Sequence, residues 1–190
     1  MRVCLTIEST MNLLGECGND SLCGWSRPTE MELEEECSEM PFLVADNSRV
    51  VSLAVSRKKG TRKQCVDHVR LIAEYGVEGD AHAGPGDRQV SLLASESIRR
   101  VRTQGLEVAF GDFAENIATE GISWLSVPVG TRFAIGDEAV VEITRIGKEC
   151  HKKCAIFYQA GDCIMPREGV FARVLRGGIV RVGDPIRKLD

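Results

Sequence analysis

The chain has 190 residues, of which 43% are apolar and 27% charged, so a single domain can bury a core with room for an appendage. No stretch approaches the ~18 consecutive apolar residues of a membrane-spanning helix. The opening Met1-Arg2-Val3-Cys4-Leu5 turns acidic and Gly-rich without the apolar core of a secretory signal, so a cytoplasmic address is expected. The net charge of −4 is unevenly placed: residues 1–48 hold two basic side chains against ten acidic ones, and residues 49–190 hold 22 against 18. A body with a balance of +4 favours a small anionic ligand and falls far short of a nucleic-acid footprint.

Residues 1–48 form an acidic appendage of unknown role, expected to be partly disordered. Thr29 followed by Glu32 resembles a capping box, which predicts one acidic helix over 30–39. The texture changes at Arg49, so 49–190 is taken as the folded domain. Val50–Ser56 is a β-rich run closed by the basic stretch Arg57-Lys58-Lys59-Gly60-Thr61-Arg62-Lys63. That stretch reads as a solvated loop, with phosphate contact as the competing reading. A second strand is predicted over Val66–Ile72, followed by a polar, Gly-rich segment from Gly76 to Asp87. Gln89–Leu93 then reads as a buried strand feeding a helix capped by Ser95 and stopped at Gly105.

The remainder reads mostly as β. Phe113–Ile117, Leu125–Val127, Arg132–Ile135 and Ala139–Ile146 are short apolar runs punctuated by glycines, a texture of barrels or sandwiches rather than βαβ units. A short helix is predicted over Glu168–Leu175 and a last strand over Ile179–Val182.

Three places could carry chemistry. In Glu149-Cys150-His151-Lys152-Lys153-Cys154, positive charge beside two thiols favours thiolate, a nucleophile able to carry sulfur as a persulfide or a soft metal ligand. In extended chain the two Cα atoms would lie about 13 Å apart, beyond disulfide reach, so a disulfide needs a turn here. Structural zinc on Cys150, His151, Cys154 and Cys163 has irregular spacing, and buried cysteines acting as small hydrophobes are the bland alternative. Next, Gly79-Asp80-Ala81-His82 with Arg88 suits an anion, or equally a loop tied by Asp and His turn bonds. Finally, Glu115 and Asn116 within Gly111–Ile117 point to opposite faces of a strand, and their bland role is to satisfy loop backbone groups. Neither a Walker loop, a Rossmann fingerprint nor a Gly-X-Ser-X-Gly elbow is present, which leaves nucleotide-hydrolysing and serine-hydrolase readings without support.

Taken in order, Gly76–Gly84, Arg88–Leu93, Gly111–Ile117, Val129-Gly130, Gly136-Asp137, the Cys154 segment and Arg173-Val174 through Gly183-Asp184 resemble the MOSC domain, the module named after the C-terminal part of molybdenum cofactor sulfurases. The resemblance covers about residues 49–190 and is strongest to the short bacterial type. It implies a mainly β, barrel-like fold with a few short helices. Cys154 best matches the cysteine that carries sulfur or ligates molybdenum, with Cys150 as its rival. Arg88, with His82, Lys58 and Lys59 as lesser candidates, would meet the phosphate of the molybdenum cofactor (molybdopterin). Asp80, Glu115 and Asn116 would shape the pocket or bond the pterin.

The function implied is cofactor binding, sulfur carriage, or both, in molybdenum cofactor maturation or insertion. A small molybdoenzyme reducing N-hydroxylated compounds and a non-catalytic binding module are the alternatives, which leaves enzymatic status open between a sulfur transferase and a molybdenum-dependent reductase. Expected partners are molybdopterin or another small anion and a cysteine desulfurase or molybdopterin-assembly enzyme, with no nucleic acid and no membrane. Pyridoxal phosphate is not expected in this chain, which has no room for an aminotransferase-like domain; it would belong to a partner desulfurase.

Overall fold

The computed structural model describes residues 44–149, 157–158 and 161–190. The acidic segment with its predicted helix at 30–39, and both Cys150 and Cys154, lie outside the described residues.

The chain is mainly β. It forms β1 (Val44–Val55), β2 (Gln64–Val66), β3 (His68–Ile72), β4 (Gly76–Val77) and β5 (Val90–Ala94), then α1 (Ser95–Thr103) and β6 (Ile117–Ile122). A 3-10 turn (Trp124–Ser126) leads to β7 (Arg132–Ile135) and β8 (Ala139–Ile146). After these come α2 (Met165–Glu168), β9 (Val170–Arg176), β10 (Gly178–Arg181) and β11 (Ile186–Leu189). Eight strands make one sheet in the order β11-β7-β8-β9-β5-β6-β1-β2, and β10-β3-β4 make a second. Within the larger sheet only β5 and β6 run parallel, pairing Leu92 with Ile117 and Leu93 with Ala118, because α1 carries the chain across between them. A single β–α–β crossover therefore sits inside an otherwise antiparallel sheet.

The larger sheet curls. β1 and β11 stand six places apart in strand order, yet Arg49 bridges Pro185, and Val50 and the β10–β11 turn exchange backbone bonds of 2.9 and 2.8 Å. Pairing stops at that bridge, so the barrel-like expectation holds for the curl and not for closure of the sheet.

Two apolar clusters lie on opposite faces of the central strands. Leu92, Ile117, Val170, Ala172 and Val174 face the interior with Phe133 and Trp124, whereas their neighbours Leu93, Ala118 and Phe171 face outward under α1 with Ile98, Val101 and Phe113. Side chains alternate along a strand, so each of these strands is buried on both faces and reads as an unbroken apolar run. That geometry explains the one helix the sequence misassigns. Val170–Arg176 is β9, in the middle of the sheet, and the helix near it is α2, ending at Glu168. A strand buried on both faces loses the period-two signal that separates it from a buried helix.

Two predicted strands are turns. Residues 113–116 belong to a tight turn before β6, with Gly111 and Ala114 at positive φ, and Leu125 lies in the 3-10 turn after β6. The predicted helix after β5 is present, but Ser95 is its first residue rather than its cap; the Ser95 hydroxyl bonds Glu96 and makes no cap bond to the backbone. At the far end, Gly105 takes φ +93° and its N–H reaches Arg102 O, which stops the helix where glycine punctuation predicted.

β1 begins at Val44, five residues ahead of the expected boundary, and pairs Val44 with Ile122. The buried Ser48 hydroxyl lies within hydrogen-bond distance of Ala45 O (2.7 Å) and Gly121 O (2.9 Å). A fragment covering 44–190 should therefore be more stable than one covering 49–190, by about 1–3 kcal/mol from the lost strand contacts and hydroxyl bonds. Urea unfolding of the two fragments reads that difference, and equal midpoints would place the boundary at Arg49.

Candidate functional site

The segment between β4 and β5 has few apolar side chains with which to anchor itself, so polar contacts must hold it. Asp80 supplies them. Its Oδ2 accepts the Ser56 N–H at 2.9 Å and the Lys63 ammonium, and its Oδ1 accepts the His82 N–H at 2.9 Å and faces His82 Nδ1 at 3.2 Å. The Asp80 and Lys63 side chains are each 1% exposed. Burial acts to raise the Asp80 pKa, but bonds from His82, Lys63 and the Ser56 N–H outweigh it and hold the carboxyl well below its ordinary range. Desolvation pushes the Lys63 ammonium down, against the pull of Asp80 and Glu115. Backbone bonds from Ala81 N–H to Ser56 O (2.7 Å) and Gly84 N–H to Tyr75 O (2.7 Å) complete the loop.

Lys63 is the residue that sequence reasoning passed over as a member of a solvated basic run. Lys58 and Lys59, the two singled out from that run, are exposed. The Lys58 carbonyl accepts the Ser56 hydroxyl at 3.1 Å, which sets the basic loop beside the Asp80 loop. No local pattern in Arg57–Lys63 marks the last lysine as internal. Only its placement ahead of β2, opposite Asp80, decides it.

His82, 38% exposed, remains reachable from solvent at the surface end of this arrangement. Arg88, 52% exposed, stands at the other end of the loop with its Nε 3.8 Å from Asp87 Oδ1. Arg145 on β8 has its Nε 4.0 Å from Asp87 Oδ2, and the neighbouring Thr144 hydroxyl bonds Asp87 O and lies 3.0 Å from Phe171 O. One exposed carboxylate thus sits between two exposed guanidiniums on this rim. β8 runs on from Arg145 to Gly147 and Lys148, whose N–H groups bond Gly169 O (2.7 Å) and Pro166 O (3.1 Å). Gly147 and Lys148 are thus held just beyond the strand that carries Arg145.

Glu115 and Asn116 are both buried; Asn116 is fully engaged inside the fold, and Glu115 through one of its two carboxylate oxygens. Asn116 Oδ1 accepts the Ser91 N–H at 3.2 Å and the Ser91 hydroxyl at 3.0 Å, while its Nδ2 donates to Ala54 O at 3.1 Å, tying β5 to β1. Glu115 Oε1 accepts the Gly111 N–H at 2.5 Å. Burial raises its pKa to about 7, against the lowering effect of the Gly111 N–H. A cleft of about 380 Å³ lined by Glu74, Asp87, Thr144 and Arg173, among others, adjoins the rim through Asp87. Among the described residues, no three His, Cys, Asp or Glu side chains are grouped to hold a metal ion.

Comparisons with known proteins place this arrangement in a family. The MOSC domain profile matches residues 78–187, which takes in the Asp80–His82 loop, Arg88, the 111–117 turn, β8 and β9. The chain belongs to the MOSC domain family. Among solved structures, YiiM of Geobacillus stearothermophilus is similar at 21% identity and a TM-score of 0.59, covering 75% of each chain. The YuaD protein of Bacillus subtilis is similar at 18% identity and TM-score 0.61, covering 73% of this chain and 94% of that one. YiiM of Escherichia coli is similar at 24% identity and TM-score 0.53, covering 75% of this chain and 70% of that one. These likenesses establish a shared fold. No curated protein matches the chain in sequence.

Two outcomes follow from the electrostatics. Asp80→Asn leaves the Lys63 ammonium buried without its counter-charge and should cost about 3–5 kcal/mol in chemical denaturation; a loss below 1 kcal/mol would show that the pair does not hold the loop. For Glu115, the unfolded chain releases its proton near 4.5 and the folded chain near 7, so the folded state binds the proton more tightly. Stability should therefore fall as pH rises from about 4.5 to about 7, by an amount on the order of 3 kcal/mol, and stay lower above that. Glu115→Gln should remove that slope in pH-dependent thermal melts, and an unchanged slope would assign it to another group.

Proposed function

We propose that this MOSC chain binds molybdenum cofactor, carries sulfur on Cys154, or does both, in the maturation or insertion of that cofactor. The observation that carries the reading is the junction at Asp87. There the Arg88 loop is bound to β8 by Thr144 and flanked by Arg145, and β8 is the strand that leads into residues 150–154. What supports the reading is that Arg145 precedes by only a few residues in the chain the segment in which the family resemblance places the reactive cysteine.

The donor chemistry fits an anionic, phosphate-bearing group. Arg88 offers a planar guanidinium fork suited to phosphate, with His82 and the exposed Lys58 and Lys59 as further positive or polar contacts. Asp80, Glu115 and Asn116 act from behind, shaping the wall rather than presenting free carboxylates to an anion. Cys154 is the assigned thiolate for molybdenum or for sulfur, and Cys150 is its rival. When bound, the cofactor supplies a metal centre for two-electron or sulfur-accepting chemistry. In sulfur carriage the Cys154 thiolate attacks the outer sulfur of a partner desulfurase's persulfide. An S–S bond forms on Cys154, the donor's S–S bond breaks, and the donor leaves as a thiolate. Lys148, Lys152 and Lys153 favour the attacking thiolate by their charge.

The test is molybdenum by elemental mass spectrometry, with pterin fluorescence, on protein from a cofactor-producing host. Near-stoichiometric metal and pterin are expected in the wild type and should be lost in Cys154→Ser but kept in Cys150→Ser. Arg88→Ala should weaken pterin binding by about tenfold or more, the loss of one charge-assisted contact, with folding unchanged. Absence of both metal and pterin, together with no persulfide after incubation with a cysteine desulfurase, would overturn the reading. Bound metal with turnover of N-hydroxylated compounds would assign the reductase activity instead.

A further inference from the structure

That reading uses one buried acid, Glu115, only as part of the wall. Glu115 is 1% exposed, and its Oε2 has no hydrogen-bond partner among the described residues. Its Oε1 holds the Gly111 N–H, and the carbonyl of the same Gly111 accepts the Lys63 N–H at 2.9 Å. A Cβ at position 111 would lie 2.5 Å from Lys63 O, so the two backbone segments are in contact with no slack between them. Beyond Lys63 come Asp80 and then His82. A continuous chain of contacts thus runs from the buried Glu115 carboxyl to an imidazole at the surface.

The charged groups around Glu115 come from each segment packed against it. Asp112 lies on its own turn, 3.5 Å from Arg62. Lys63, ahead of β2, interacts with both Glu115 and Asp80, and His82 stands past Asp80 on the loop after β4. One buried ammonium is attracted by two buried carboxylates, and among the described residues its hydrogen bond goes to Asp80. We propose that Glu115 is a positioning residue for the Asp80–His82 arm, and that its proton state is transmitted through Gly111 and Lys63 to His82. The inference deepens the functional reading and rests on it only in treating His82 as part of the site.

With Glu115 neutral, Lys63 is committed to Asp80, and Asp80 holds His82 through its N–H and Nδ1. With Glu115 ionised, a second carboxylate attracts the same ammonium. Asp80 then loses part of its compensation, and its charge bears more strongly on the His82 N–H and Nδ1 that it holds. Burial pushes Glu115 up to about 7, which sets this exchange near neutral pH.

The experiment follows the imidazole nitrogens of the full chain by NMR between pH 5 and 9, with His82→Asn and His68→Asn for assignment and Glu115→Gln as the test. In the wild type the His82 ring shifts should include a step in common with the Glu115 carboxyl carbon. Glu115→Gln should lose the shared step and leave the His68 trace unchanged. Superimposable His82 traces in wild type and Glu115→Gln, both folded, would overturn the proposal. If Glu115→Gln does not fold, the wild type still decides: a Glu115 carboxyl and a His82 ring that titrate with no common step would sink it. No ligand enters these measurements, so failure of the cofactor reading would leave the traces unchanged, and failure of the inference would leave cofactor binding unchanged.

Discussion

The buried pair of Lys63 and Asp80 is the contact on which the rest of the site depends. It draws together the end of β1 through Ser56, the approach to β2 through Lys63 and the loop after β4 through Asp80 itself. Burying two charges is expensive, and their mutual attraction repays the desolvation only when the remaining hydrogen-bonding capacity is filled. On the Asp80 side it is filled by the Ser56 and His82 N–H groups. A polar segment with almost no core contacts of its own thereby acquires one conformation, and that conformation sets His82 and Arg88 at the surface.

A second constraint comes from the sheet. Its central strands β5, β6 and β9 are buried on both faces, so their position is fixed by two cores at once. β8 lies next to β9, and its end inherits that rigidity through Gly147 and Lys148. The rim is therefore built where a rigid strand end meets a loop held by charge. Rigid elements place a site more accurately than loops do, and a loop pinned at both ends approaches that condition. Curling of the sheet, marked by the Arg49–Pro185 bridge, brings the first and last strands of the domain together.

Membership of the MOSC family and the shared fold of YiiM and YuaD concern architecture, and a shared fold does not by itself assign a function. The family motifs separate accordingly. Asp80, Glu115 and Asn116 are all buried, and Asp80 and Asn116 are occupied with backbone and side-chain partners, which makes those two architectural. Arg88 and Arg145 are exposed on either side of Asp87, and His82 is partly exposed at the other end of the loop, which makes them available for contact. Both kinds of residue recur within the same short motifs, so motif matching by itself does not distinguish them.

Much was legible in the sequence. The strands at 50–55, 90–93, 132–135 and 139–146, the helix after Ser95 and its stop at Gly105 follow from local apolar runs and glycine punctuation, and the ordered motifs were enough to point to the family. Local patterns report period and turn chemistry. They do not report which of seven residues in a basic run goes inside, or that Val170–Arg176 is a strand, or that Glu115 closes on Gly111. Those outcomes were decided by the tertiary structure, because burial and pairing join residues distant in the chain. Lys63 meets Asp80 across 17 positions, and Gln89 meets Val174 across 85. A charge becomes structural only when the opposite charge reaches it inside the fold, and no window of sequence contains both.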